Sequence, residues 1–174
     1  MATRSQPVRR RVGVLALGLT SAAALLVMGD AARSIGGLCN GEPASSTRFD
    51  ASGQTGPANL RGTRHDDVII GSDGNDRIDG NGGDDTICGA GGADDIEGGR
   101  GRDIIFGGTG NDTVHGGSGD DIVFGGSGND NLYGGSGEDD LDGGSGTDTV
   151  IGNDDDDEDS LDGENCIPGP GDDC

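Results

Sequence analysis

Residues 107–151 read GGTGNDTVH, GGSGDDIVF, GGSGNDNLY, GGSGEDDLD, GGSGTDTVI, five nonapeptides in unbroken succession. The five before them, taken backwards from Phe106, are GGRGRDIIF, GAGGADDIE, GNGGDDTIC, GSDGNDRID and GTRHDDVII, so ten copies fill residues 62–151 without an insertion. Position 1 is Gly in every copy, and position 4 is Gly in all but the first, where His65 stands. Position 6 is always Asp: Asp67, Asp76, Asp85, Asp94, Asp103, Asp112, Asp121, Asp130, Asp139 and Asp148. Position 8 is always aliphatic: Ile69, Ile78, Ile87, Ile96, Ile105, Val114, Val123, Leu132, Leu141 and Val150. A degenerate copy, GQTGPANLR at 53–61, precedes them and has Ala58 in place of the Asp.

Within each copy the triplet around position 8 reads as a three-residue strand with one side chain inward and two outward. The six residues GGxGxD read as a turn, in which Gly tolerates positive φ and lets carbonyls approach an ion. Two nonapeptides make a coil of 18 residues, so copies two apart stack in register at a strand spacing of ~4.8 Å. Asp side chains of stacked turns then face each other and repel unless a cation lies between them. Carboxylates and carbonyls in a flexible loop are hard oxygen ligands, which favours Ca2+ over Mg2+ or Zn2+. Ten copies contain eight pairs two apart, hence up to eight ions. The predicted metal-site residues are the ten Asp residues together with Gly99, Gly101, Gly108, Gly110, Gly117, Gly119, Gly126, Gly128, Gly135 and Gly137, whose backbone carbonyls approach the ions.

The consensus G-G-x-G-x-D-x-U-x, with U aliphatic, resembles the hemolysin-type calcium-binding (RTX) nonapeptide repeat family. The resemblance implies an all-β fold, a right-handed parallel β-roll that forms as calcium binds. Composition agrees with metal-dependent folding. Glycine supplies 39 of 174 residues, aromatics are 2 %, and the net charge is -22. Such a chain reads as disordered unless a counter-ion neutralises it. Burying ten modest aliphatic side chains falls short of the cost of ordering so long a repeat. Metal binding and folding are then one reaction. The charge also argues against nucleic acid and anionic membrane surfaces as partners.

The flanks read differently. Arg4, Arg9, Arg10 and Arg11 precede an uncharged apolar run from Val12 to Met28, and Gly29 and Ala31 place small residues before a cut after Ala31. Residues 1–31 are therefore expected to be a secretory signal, by a Sec or a twin-arginine route, rather than a membrane span. Removing them leaves a charge of -25. Residues 32–61 are expected to form an N-terminal cap containing the degenerate copy. Residues 152–174 are expected to be an acidic tail: Asp154–Asp159 reads as solvated, although Gly152 and Asp157 hold positions 1 and 6 of a weak further half-site.

Outward positions 7 and 9 make one face apolar, with Val68, Ile70, Cys88, Ile104, Phe106, Ile122 and Phe124, and the opposite face polar. Two readings stand for the apolar face. Residues 32–61 fold back over it, or it meets a partner through Ile104, Phe106, Ile122 and Phe124. The four cysteines of an exported chain are expected to pair. Of three connectivities, Cys39–Cys88 with Cys166–Cys174 is favoured, because it would pin the N-terminal segment and Phe49 onto the stripe. Their spacing is not that of a zinc site.

No catalytic constellation is visible: His65 and His115 are the only histidines, and neither an H-E-x-x-H nor a G-x-S-x-G motif occurs. The sequence thus predicts a secreted calcium-binding repeat protein and no enzyme. The alternative is a calcium-stabilised adhesion or accessory module docking through the apolar face.

Overall fold

The computed structural model describes residues 47–152, 160–163 and 165–167. The described residues contain no helix and fourteen strands. These are β1 (Thr47–Asp50), β2 (Asn59–Arg61), β3 (Asp67–Ile70), β4 (Arg77–Asp79), β5 (Thr86–Gly91), β6 (Asp95–Arg100) and β7 (Ile104–Thr109). There follow β8 (Thr113–Ser118), β9 (Ile122–Ser127), β10 (Asn131–Ser136), β11 (Asp140–Ser145), β12 (Thr149–Ile151), β13 (Ser160–Asp162) and β14 (Asn165–Ile167). Odd strands form one parallel sheet, β1-β3-β5-β7-β9-β11-β13, and even strands form the other, β14-β12-β10-β8-β6-β4-β2. The chain alternates between the sheets, which makes a parallel β-solenoid.

Register follows the nonapeptide. Ile105 lies opposite Ile87 and Val123, and Val114 opposite Ile96 and Leu132, each 18 residues away. Position 8 therefore enters the interior in every coil. From Ile69 to Val150 these ten side chains are at most 1 % exposed and form one continuous core, closed at its ends by Leu161, Phe49 and Leu60. The interior is one aliphatic side chain deep per strand, so only glycine at position 1 lets the two sheets come this close. A Cβ at Gly107 would sit 2.6 Å from both Asp112 Oδ2 and the Gly125 carbonyl oxygen, closer than real Cβ atoms come.

Three expectations change. From β5 to β11 the strands are six residues long, not three, because pairing continues through positions 1 to 3: Gly108 lies opposite Gly126 and Thr109 opposite Ser127. The turn shrinks to positions 4 to 6. Second, residues 47–61 do not fold back over the apolar face; β1 and β2 extend the two sheets, and Phe49 packs against the inner core. Third, the C-terminal segment adds β13 and β14 to the stack, with Leu161 opposite Leu141. The end strands break the 18-residue spacing: Phe49 pairs with Ile69 and Leu161 with Leu141, both 20 apart, and Cys166 with Val150, 16 apart. The signal region 1–31, Cys39, Cys174 and the whole acidic run Asp154–Asp159 lie outside the described residues.

The outer apolar face is largely buried. Val68, Ile70, Cys88 and Phe106 are 7 % exposed or less and cluster together, with Phe124 packed beside them. The rings of Phe106 and Phe124 stack with centroids 5.1 Å apart. Of the four residues expected to meet a partner, Ile122 and Phe124 are half-buried and Ile104 is 38 % exposed.

Inner and outer ladders make unequal demands. Ile105→Ala, which opens a hole in a core with no second layer, should cost about 2–5 kcal/mol in urea unfolding of the folded protein. Ile104→Ala, one residue away and outward, should stay within about 0.5 kcal/mol. Equal effects would mean that the inner line is not the core.

Candidate metal centre

Each turn ends on the position-6 Asp, which is where the strand begins and the side chain turns back into the stack. All ten of these Asp residues are 3 % exposed or less. One carboxylate oxygen serves the stacking of the coils. The backbone N–H of Asp85 donates to Asp103 Oδ1 at 2.8 Å, that of Asp103 to Asp121 Oδ1 at 2.8 Å, and that of Asp112 to Asp130 Oδ1 at 2.8 Å. The same bond runs from Asp67 to Asp85, Asp76 to Asp94, Asp94 to Asp112, Asp121 to Asp139 and Asp130 to Asp148. Every coil from Asp67 to Asp148 is thus clasped to the next by the residue type that also carries its charge.

The second oxygen is the functional observation. Oδ2 of Asp85, Asp94, Asp103, Asp112, Asp121 and Asp130 is buried and accepts no hydrogen bond. A buried carboxylate oxygen without a partner is costly unless a cation or a proton compensates it. Each faces the position-1 glycine of its own copy and the position-1 carbonyl of the coil ahead: around Gly116, Asp121 Oδ2 and the Gly134 carbonyl oxygen converge, and around Gly125, Asp130 Oδ2 and the Gly143 carbonyl oxygen. These are hard oxygens aimed at a common space, so the residues present fit a calcium ion. Among the described residues no three His, Cys, Asp or Glu side chains converge as a metal cluster. The donors on offer are therefore carbonyls beside carboxylates.

Protonation states report the same strain. Burial is the first cause at every shifted site of the row, opposed by the backbone N–H that each carboxylate accepts. It pushes Asp85, Asp94 and Asp121 up to about 7. Asp103 and Asp112 are pushed up to about 6. Asp130 is raised by burial and by the charge of Asp148. Repulsion from Asp103 and Asp67 adds to the burial of Asp85.

The glycines singled out from the sequence occupy positions 2 and 4 of successive turns, and all ten have positive φ. Gly110, at φ 129°, is a tight case, since a Cβ there would overlap the Gly92 carbonyl oxygen. Its N–H donates to the Ser127 carbonyl at 2.7 Å, which keeps the turns in register.

Position 5, variable in the sequence, forms a second ladder. Asp84 N–H donates to Asp66 Oδ1, Ala93 N–H to Asn75 Oδ1, and Asn129 N–H to Asn111 Oδ1, each at 2.9 Å. This ladder runs opposite to that of position 6, so stacked turns hold each other in both directions. The recurrence of Asp and Asn at position 5 is the sequence signal for it. Neither histidine joins the Asp rows: His65 donates its backbone N–H to Thr63 Oγ1 within the first turn, and the His115 ring stacks on Tyr133 at 4.5 Å on the outer face. Cys88 carries no free thiol, and the connectivity of the cysteines lies outside the described residues.

The profile described as RTX calcium-binding nonapeptide repeat (4 copies) matches four overlapping stretches, residues 61–96, 89–123, 97–132 and 124–159, which together span more than half of the chain. No curated protein and no solved structure matches the chain. The matched stretches lie on the nonapeptide copies that build the solenoid, and the chain belongs to the RTX calcium-binding nonapeptide repeat family.

Proposed function

We propose that this chain is a secreted protein whose solenoid folds when calcium enters between stacked turns, and that its role is binding or structural rather than catalytic. The observation that carries the reading is the row of Oδ2 atoms without partners, each beside a carbonyl of the next coil. Bound Ca2+ supplies positive charge and oxygen coordination there. Asp85, Asp94, Asp103, Asp112, Asp121 and Asp130 would hold it, together with position-1 carbonyls. The glycines at positions 2 and 4 allow the turns their left-handed backbone. We take the coil as right-handed, as parallel crossover connections are. Family membership and the arginine-then-apolar N-terminus support export, and extracellular calcium, abundant compared with the cytosol, would complete the fold outside the cell.

Calcium titration of residues 32–174 followed by circular dichroism tests the reading, with magnesium as the control. A cooperative coil-to-β transition in calcium alone is expected. A chain already folded without metal, or unfolded at saturating calcium, would overturn it.

The raised carboxyl groups give a second test. In the unfolded chain they ionise near 3.8, and in the metal-free fold near 6 or 7. Between those values the fold holds more protons than the unfolded chain. Relative to it, the metal-free fold is most stable below pH 3.8 and loses stability as pH rises through 6 to 7. Acid should therefore induce β structure without calcium, and calcium binding at neutral pH should release protons. Circular dichroism of the metal-free chain from about pH 4 to 8 reads the first effect and unbuffered titration the second.

The cysteines have a separate expectation. Cys88 is 1 % exposed on the outer face of the odd sheet, beside Ile70 and Phe106. β1 is an edge strand of that same sheet, so the chain preceding Thr47 leaves from its end. We propose a Cys39–Cys88 disulfide that lays residues 32–46 across this face, leaving Cys166 to pair with Cys174. Non-reducing peptide mapping should recover Cys39 linked to Cys88; a link from Cys39 to Cys166 or Cys174 would refute the pairing.

A further inference from the structure

The turns of the solenoid are of two kinds, and the change falls between the second and third copies. In copies 62–70 and 71–79 position 2 is Thr63 and Ser72, and neither has positive φ. Thr63 N–H donates to Asp67 Oδ2 at 2.5 Å, and Ser72 N–H donates to Asp76 Oδ2 at 2.6 Å. The Ser72 hydroxyl lies 2.9 and 3.1 Å from the two oxygens of Asp76 and 2.9 Å from the Gly56 carbonyl oxygen of the preceding coil. Ala58 N–H donates to Asp76 Oδ1 at 2.6 Å. Both oxygens of Asp76 are thus hydrogen-bonded.

From the third copy on, position 2 takes positive φ even where it is not glycine, as at Asn81 (71°) and Ala90 (81°). The Asn81 N–H is donated to Asp79 Oδ1 at 3.0 Å, and Asp85 Oδ2 is left without a bond. The oxygen capped at Asp67 and Asp76 is the same Oδ2 that faces the glycine carbonyl ahead in the turns from Asp85 to Asp130. A carboxylate oxygen already holding an N–H at this distance has one lone pair fewer to offer a cation, and no unmet need for one.

We infer that the second turn closes without metal, and that calcium enters from Asp85 onward. Ser72 is the residue that decides this at Asp76; Thr63 caps only Oδ2 of Asp67, whose Oδ1 is buried without a partner. The calcium complement is then smaller than the eight ions that the period allows. The second turn is a metal-independent platform on which the calcium-dependent coils are laid. The inference rests on the calcium reading above, and it names which turns take part.

Counting bound calcium by native mass spectrometry on the full chain tests it, with parent, Asp76→Asn, Asp112→Asn and Ser72→Gly compared. Asp76→Asn should keep the parental count, Asp112→Asn should lose at least one ion, and Ser72→Gly, which frees Asp76 Oδ2, should gain one. Hydrogen exchange of the calcium-free parent should show slower exchange at Ala58 and Ser72, whose N–H groups are held by Asp76, than at Asp112 and Asp121. Loss of an ion in Asp76→Asn, or an unchanged count in both Asp112→Asn and Ser72→Gly, would overturn the inference and leave calcium binding standing. A parent that binds no calcium would overturn the calcium reading itself. Should Asp76→Asn not fold, the gain in Ser72→Gly and the exchange pattern still decide the matter.

Discussion

Stacked, buried carboxylates are the constraint from which the rest of this structure follows. One oxygen of the position-6 Asp accepts an N–H from the coil behind, which ties the stack together. That bond holds the other oxygen in the interior, where water cannot reach it. The carboxyl groups respond by binding protons more tightly than usual, with burial as the main cause. A divalent ion satisfies the same need without surrendering the charge. The clasp and the cost thus sit on a single side chain, and neither can be removed without the other.

Glycine follows from this geometry. Carboxylate and carbonyl oxygens converge where a Cβ at position 1 would lie, so a larger residue there would fill the cradle. The interior then holds one aliphatic side chain per strand and no second layer. A core that thin cannot offset the ordering of so glycine-rich a chain. On the proposed reading, the features that suit the turns to a cation are also those that would make the fold depend on one.

Much of this is legible in the sequence because a strict period is a strict register. Nine residues per strand and 18 per coil are enough, on their own, to place Ile105 beside Val123 and Asp103 beside Asp121. What the period does not carry is whatever fails to repeat, or repeats in more than one letter. Phe49 and Leu161 enter the core at spacings of 20, which a constant period passes over. Position 5 takes both Asp and Asn, two residues that accept the same hydrogen bond, and so looks variable. Strand length is understated by the pattern because glycine favours turns. Here Gly108 and Gly126 pair as strand residues while keeping positive φ. The burial of Val68, Ile70 and Cys88, at positions that point outward from the coil, is likewise not written in the period.

The ends of a solenoid pose a problem that its middle does not. An interior turn receives an N–H from one neighbour and faces a carbonyl of the other. A terminal turn lacks one of the two, and its strand exposes an unpaired edge. Here the N-terminal solution is written in ordinary hydrogen bonds: Ala58, which has no carboxylate to repel Asp76, gives it an N–H instead, and Ser72 bridges to Gly56. Departure from the consensus at these positions is therefore not decay of the repeat. The solution is incomplete at the first turn, where Asp67 Oδ1 is buried and accepts no hydrogen bond although β1 lies behind it. Thr63 and Ser72 at the second glycine position keep the backbone out of the left-handed region and return the N–H to the carboxylate. The irregular copies thus close one end of a structure whose regular copies cannot close themselves.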